Sequence, residues 1–336
     1  MPILDMPLKE LKTYQGTNPQ PEDINEYWDK ALREIPDAGG TPEYRNAEFI
    51  SPAAECRHLT FNGIGGSTIH VKALLPKMQN APYPALLHFH GYTIASSPWT
   101  DYLEYAASGI AVFAMDCRGQ GGLSEDLNTP AGPTLYGNIV KGLEGLPEHL
   151  HYRRIFQDTV QLARIVMNTP EINADRVGVY GASQGGGLSL ACAALEPRIC
   201  CAAPLYPFLS DYKRVWDMDL AERAYRGLRE YFRIFDPLHE REDEIFRTLG
   251  YIDAANLAPR IRGEVLFGIT LMDDICPPST QFAAFNRITS PKEIVLFPDF
   301  GHEDIPLFKE RRYQFLIEKL LGTQERFLDP SKRFRS

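Results

Sequence analysis

From residue 85 onward the chain alternates short, wholly apolar runs with longer stretches of helical spacing, and few folds accommodate that pattern. Ala85-Leu-Leu-His-Phe89, Ile110-Ala-Val-Phe-Ala-Met115 and Val177-Gly-Val-Tyr180 are such runs, and residues 199–203, 265–269 and 293–297 continue the series. Strands of this kind are buried on both faces. Between them, residues 155–167 bring Ile155, Leu162, Ile165 and Val166 to one helical face. Repeated β and α units predict an α/β fold with a mostly parallel sheet flanked by helices on both sides.

The rest of the chain departs from that rhythm in three places. Residues 1–45 read as an N-terminal extension with one helix, in which Ile24, Tyr27, Trp28, Ala31 and Leu32 recur at helical spacing. A Gly-rich turn, Asn62-Gly-Ile-Gly-Gly-Ser67, joins two expected strands at 57–62 and 68–75 into a hairpin. Residues 210–260 are charged and aromatic with no good strand, so a helical insertion is expected there, forming a lid over the C-terminal edge of the sheet. Residues 1–322 are then a single domain, and 323–336 a polar tail.

Composition narrows the partners. The net charge of −9 disfavours nucleic acid and anionic membrane surfaces, which both need a basic face. Asp5, Pro2 and Pro7 break up the apolar character of the N-terminus, so no signal peptide is read, and no run approaches the ~20 apolar residues of a membrane span. Six cysteines without CxxC pairs or regular spacing read as free thiols of a reducing compartment, the cytoplasm.

The chemistry begins at Gly181-Ala-Ser183-Gln-Gly185. GxSxG alone is a weak signal, since a chance match marks an ordinary turn. Here it follows an apolar strand and opens a small-residue helix, the setting of the nucleophile elbow of α/β-hydrolases. Ser183 is therefore the expected nucleophile. In that fold the acid and then the histidine follow the serine along the chain. Only His239 and His302 come after Ser183. His239 lies among charges in the insertion and reads as a solvated surface residue; His302 follows a strand through Pro298-Asp-Phe-Gly301 and is the expected base. The acid belongs on the loop after the preceding strand, where Asp273 and Asp274 stand side by side and spacing does not separate them. Two backbone N–H groups should receive the oxyanion. Gln184 supplies one, and the loop around His90-Gly-Tyr92 supplies the other. No HExxH, GxGxxG or Walker motif is present, so neither a metal nor a cofactor is expected.

Taken together, Asp116-Cys-Arg-Gly-Gln-Gly-Gly122, the elbow and Phe300-Gly-His-Glu303 resemble the acetyl xylan esterase/cephalosporin C deacetylase family, carbohydrate esterase family 7. The resemblance extends to Pro7-Leu-Lys-Glu-Leu-Lys-Thr-Tyr14, Ala203-Pro-Leu-Tyr-Pro-Phe208 and Cys276-Pro-Pro-Ser-Thr280, and so covers nearly the whole chain. It implies that Asp273 is the acid. It also implies that Tyr92, which touches substrate, and Gln184 donate the oxyanion N–H groups, with Arg118-Gly-Gln120 a structural signature. The implied activity is removal of O-acetyl groups from small substrates such as acetylated xylo-oligosaccharides, with cephalosporin C a second candidate. A homohexamer with sites facing an internal cavity is implied as well. Two rivals remain: a same-fold hydrolase for other short acyl esters or amides, and a non-catalytic binding module of this fold.

Overall fold

The protein is described from a computed structural model covering residues 4–131 and 137–322, so the expected tail at 323–336 lies outside the described residues. The strands are β1 (Glu43–Asn46), β2 (Ala54–Asn62), β3 (Thr68–Pro76), β4 (Tyr83–Phe89), β5 (Ala111–Met115), β6 (Ile172–Ala182), β7 (Cys201–Leu205), β8 (Glu264–Thr270) and β9 (Lys292–Phe297). They form one sheet in the order β1-β2-β3-β5-β4-β6-β7-β8-β9. Pairing is antiparallel from β1 to β5 across β2 and β3, and parallel from β5 through β4 to β9. With helices on both faces, this is the α/β-hydrolase fold.

Every residue of β5 and β7 is buried, as strands covered on both sides must be. Alternate side chains feed two cores. Leu87, Phe89 and Phe113 join the helices Ile24–Arg33, His151–Met167 and Gln184–Leu195 on one face. Leu86, Val112 and Tyr180 join Tyr105, Phe308 and Leu316 from the helices Leu103–Ala107 and Pro306–Leu321 on the other.

The chain leaves β4 towards β5 on one flank, whereas β6 lies on the other. A crevice opens at such a switch point, outside the C-terminal ends of the strands. There Phe89 at the end of β4 pairs in register with Gly181 at the end of β6, so the two following loops start side by side.

Several strands differ from expectation: β6 starts at Ile172, five residues before its apolar run, β2 starts at Ala54, three residues before Arg57, and β7 and β1 differ as well. β7 runs Cys201–Leu205, two residues later than the apolar run suggested: the Ile199 amide closes the preceding turn onto the Glu196 carbonyl, and Cys200 only begins the strand contacts, its amide donating to the Val177 carbonyl and its carbonyl accepting the Glu264 amide. β1 was invisible because Glu43-Tyr-Arg-Asn46 is exposed at all four positions and shows no alternation. Between β7 and β8 the chain forms the helices Tyr212–Asp217, Arg226–Phe235, Glu242–Leu249 and Ala254–Leu257. Trp216 stacks on Phe232 at 4.4 Å there, with Phe246 against both.

This insertion is fastened to the N-terminal segment. Trp28 Nε1 donates to the Tyr251 carbonyl at 2.8 Å. The Asp211 carboxylate accepts Tyr14 Oη at 2.7 Å and the amides of Thr17 and Asn18 at 2.9 and 2.8 Å. Asp253 lies behind it, accepting the Asp211 amide at 2.9 Å. Burial pushes the Asp253 carboxyl up to about 8, and the neighbouring Asp211 adds to the rise.

An unfolded aspartate titrates near ~4. The stability supplied by the proton on Asp253 is therefore complete below about pH 4 and is lost as pH rises through about 8. Asp253→Asn removes that dependence. Its melting temperature relative to wild type is expected to rise from pH 5 to pH 8 and level off beyond. Parallel melting curves for the two proteins across that range would refute this account of Asp253.

Candidate active site

Ser183 sits between β6 and the helix Gln184–Leu195 with φ 57° and ψ −122°. A non-glycine residue in such a region is strained by about 1–3 kcal/mol and persists only where its surroundings over-determine it. They do here. The Ser183 amide donates to the Leu205 carbonyl at 3.0 Å, and its carbonyl accepts the amides of Phe208 and Gly187 at 2.9 and 3.1 Å. The flanking glycines are required by space: a Cβ on Gly185 would lie 1.9 Å from the Phe89 carbonyl oxygen, and one on Gly181 2.6 Å from the same atom.

His302 Nε2 lies 2.9 Å from Ser183 Oγ, and His302 Nδ1 2.8 Å from Asp273 Oδ2. Asp273 is fully buried. Its other oxygen accepts the amides of Ile275 and Cys276 at 2.9 and 2.8 Å, and Thr270 Oγ1 donates to Oδ2 at 3.3 Å. Asp274 points the other way and meets Arg223 at 3.3 Å on the surface, both side chains more than half exposed. His239 is likewise far from this line, pairing with Glu242 in the insertion. The arrangement lets Ser183 Oγ pass its proton to a histidine whose other nitrogen is held by a buried carboxylate.

Gln184 is the first residue of its helix, so its N–H has no preceding-turn carbonyl to bond. Tyr92 is half-buried on the loop leaving β4, its ring edge-on to Phe208 at 5.5 Å and its hydroxyl accepting the Asn138 amide at 2.8 Å. The Gln184 side chain joins the loops together. It accepts Tyr152 Oη at 2.7 Å, donates to the Gly91 carbonyl at 3.3 Å, and exchanges amide hydrogen bonds with Gln120 at 2.9 and 3.1 Å. Gln120 in turn accepts the Thr93 amide at 2.8 Å. Arg118 anchors the same segment by a fully buried fork onto Asp158, at 2.7 and 2.6 Å. Removing one partner of such a pair strands a buried charge, at a cost of about 3–5 kcal/mol. Asp116 closes the segment. Burial opposes its charge, yet His70 and the amides of Leu123 and Ser96 hold its carboxyl well below the usual range.

Three residues near this site had no role in the sequence reading. Tyr206, at φ 30°, lays its ring 4.5 Å from that of His302. Asp158 and Gln281 are buried partners of Arg118 and Asp273, and a lone sequence offers no signal for either. Donor atoms of Asp273, Cys276 and His302 lie within 4.8 Å of one another, a spacing that suits a metal. Their chemistry does not: burial, reinforced by Asp273, pushes the Cys276 thiol well up, and the carboxylate and Nδ1 already serve each other.

Residues 1–319 match the acetyl xylan esterase (AXE1) family. The chain belongs to that family. Among solved members, acetyl xylan esterase 1 from Thermoanaerobacterium sp. JW/SL YS485 is 53% identical, covers 94% of this chain and 99% of its own, and superimposes with a TM-score of 0.91. The acetyl xylan esterase from Paenibacillus sp. R4 is 33% identical over 94% of this chain and all of its own, with a TM-score of 0.88. Acetyl esterase Axe7A of Xylanibacter ruminicola is 26% identical over 84% of this chain, which spans only 63% of that protein's length.

For this acetyl xylan esterase family chain, Ser183→Ala should lower acetyl-ester turnover by about 10³-fold or more with the fold intact. Asp273→Asn should cost several orders of magnitude, as loss of a triad acid does, whereas Asp274→Asn should stay within about twofold of wild type. Steady-state kinetics on a nitrophenyl acetate checks all three. A larger loss from Asp274 than from Asp273 would place the acid one residue away.

Proposed function

We propose that the chain is a serine esterase hydrolysing small acetyl esters, chiefly O-acetyl groups on short xylo-oligosaccharides, with cephalosporin C as a second substrate. The observation that supports this most is the Ser183–His302–Asp273 line, with hydrogen bonds of 2.9 and 2.8 Å beside a helix N-terminus. Ser183 Oγ attacks the acetyl carbonyl while His302 Nε2 takes its proton and Asp273 fixes the imidazole tautomer. The N–H groups of Gln184 and Tyr92 receive the oxyanion, and Tyr92 also touches the substrate. The carbon–oxygen bond to the sugar then breaks, and the departing oxygen takes the proton from His302. Water, deprotonated by His302, attacks the acetyl-serine and releases acetate. No metal or cofactor enters these steps.

Assembly and setting follow the family resemblance. The chain forms a homohexamer with sites facing an internal cavity, and the helical insertion lines the route inward as a lid. Its place is the cytoplasm, where free cysteines such as the buried Cys117 and Cys192 stay reduced. Neither nucleic acid nor a membrane surface is a partner of a chain with net charge −9. Among the described residues, no helix is long and apolar enough to cross a membrane.

Such a cavity admits oligosaccharides and excludes the polymer. Acetate release from short acetylated xylo-oligosaccharides should therefore exceed that from long acetylated xylan by about tenfold or more, at matched acetyl concentration. Light scattering should give about six times the mass of one chain. A fully active monomer working equally well on the polymer would overturn both statements.

A further inference from the structure

The helix Pro278–Arg287 starts directly after the loop that carries Asp273, and no side chain of its own start caps it. Its cap comes from the other end of the chain. Asp5 Oδ2 accepts the Ser279 amide at 2.8 Å, and Asp5 Oδ1 accepts Arg214 Nη2 at 2.6 Å. Arg214 Nε completes the triangle by donating to Ser279 Oγ at 3.1 Å. The Asp5 carboxylate is fully buried in this arrangement, and so is Ser279. Three segments meet here: the N-terminal segment, the first helix of the insertion, and the helix behind the acid loop. A carboxylate is well suited to that position, because it satisfies an orphan amide and opposes the positive end of the helix dipole.

From Ser279 the contact continues to Asp273 within one helical turn. Gln281, fully buried, donates to the Cys276 carbonyl at 2.6 Å and to Asp273 Oδ2 at 3.4 Å, and accepts the Thr270 amide at 3.2 Å. The acid loop is thus folded around the Gln281 side chain, and its downstream end is held by Asp5.

We propose that Asp5 is a positioning residue for the esterase reaction: by capping the helix that bears Gln281, it sets the orientation of Asp273 towards His302. The proposal rests on the reading of Asp273 as the triad acid. A misplacement of about an ångström in catalytic geometry, caused by a change far from the chemistry, can cost about 10²-fold in rate. Asp5 acts at a distance from the acyl group and reaches it only through Asp273.

The test is a double-substitution cycle between Asp5→Ala and Asp273→Asn, with kcat and KM measured on a nitrophenyl acetate and near-ultraviolet circular dichroism as the fold control. Asp5→Ala is expected to lower kcat by roughly tenfold with KM within about twofold, and to change kcat by less than about twofold when Asp273 is already Asn. Asp5→Asn keeps an acceptor for the Ser279 amide and should fall between Asp5→Ala and wild type. Should Asp5→Ala fail to fold, the same cycle is run with Asp5→Asn. Equal losses in both backgrounds, or a lowered melting temperature with kcat unchanged, would show a structural anchor only and overturn the proposal. Full activity of Asp273→Asn by itself would overturn the acid assignment and this inference together, an outcome distinct from simple additivity.

Discussion

The turn from β6 into the helix Gln184–Leu195 is pressed against the end of β4, and the geometry around Ser183 follows from that contact. The backbone at Gly181 and Gly185 lies so close to the Phe89 carbonyl that a single methyl group at either position would collide with it. That closeness holds Ser183 in its strained conformation and exposes its hydroxyl at the head of a helix. It also brings the Gln184 amide beside the loop leaving β4, where Tyr92 lies. One steric requirement therefore places Ser183, the proposed nucleophile, and Gln184, a proposed oxyanion donor, together.

Polar side chains then fix what the backbone has brought near. The Gln184 and Gln120 amides lock the elbow to the loop carrying Thr93, and Arg118 is held in turn by Asp158. On the acid side, Asp273 has its lone pairs engaged by two amides, a hydroxyl and a glutamine, so little freedom remains for it except to face His302. Such satisfied buried networks rigidify a site because each unmade hydrogen bond there is costly. The N-terminal segment and the insertion belong to the same construction. They pack on one another through Trp28, Asp211 and Asn18, and Asp5 and Arg214 meet behind the acid loop.

Much of this was legible in the sequence, for identifiable reasons. Strands buried on both faces leave continuous apolar runs, so β4, β5, β8 and β9 could be read with small errors at their ends, but β6 only over its buried second half, because residues 173–176 are partly or fully exposed and break the run. The elbow was legible because close backbone approach demands glycine on both sides of one serine. β1 was not, since an exposed edge strand has no hydrophobic period to display. Spacing could not divide Asp273 from Asp274, because adjacent loop residues differ only in which way the chain turns. The resemblance to a family pointed to Asp273, and the hydrogen bond to His302 belongs to that residue, while Asp274 faces Arg223. Asp5, Gln281 and Asp158 were hidden for another reason. Their partners lie far away in the chain or within an unmarked helix, and tertiary packing alone makes them neighbours.

Ser183 alone is proposed to carry the acyl group, through a covalent intermediate. Peptide mapping by mass spectrometry after stoichiometric inactivation with a fluorophosphonate addresses it most directly. A single adduct per chain is expected, located on Ser183, with loss of activity proportional to labelling. Complete labelling of Ser183 with activity retained, or inactivation accompanied by an adduct on another residue, would contradict it.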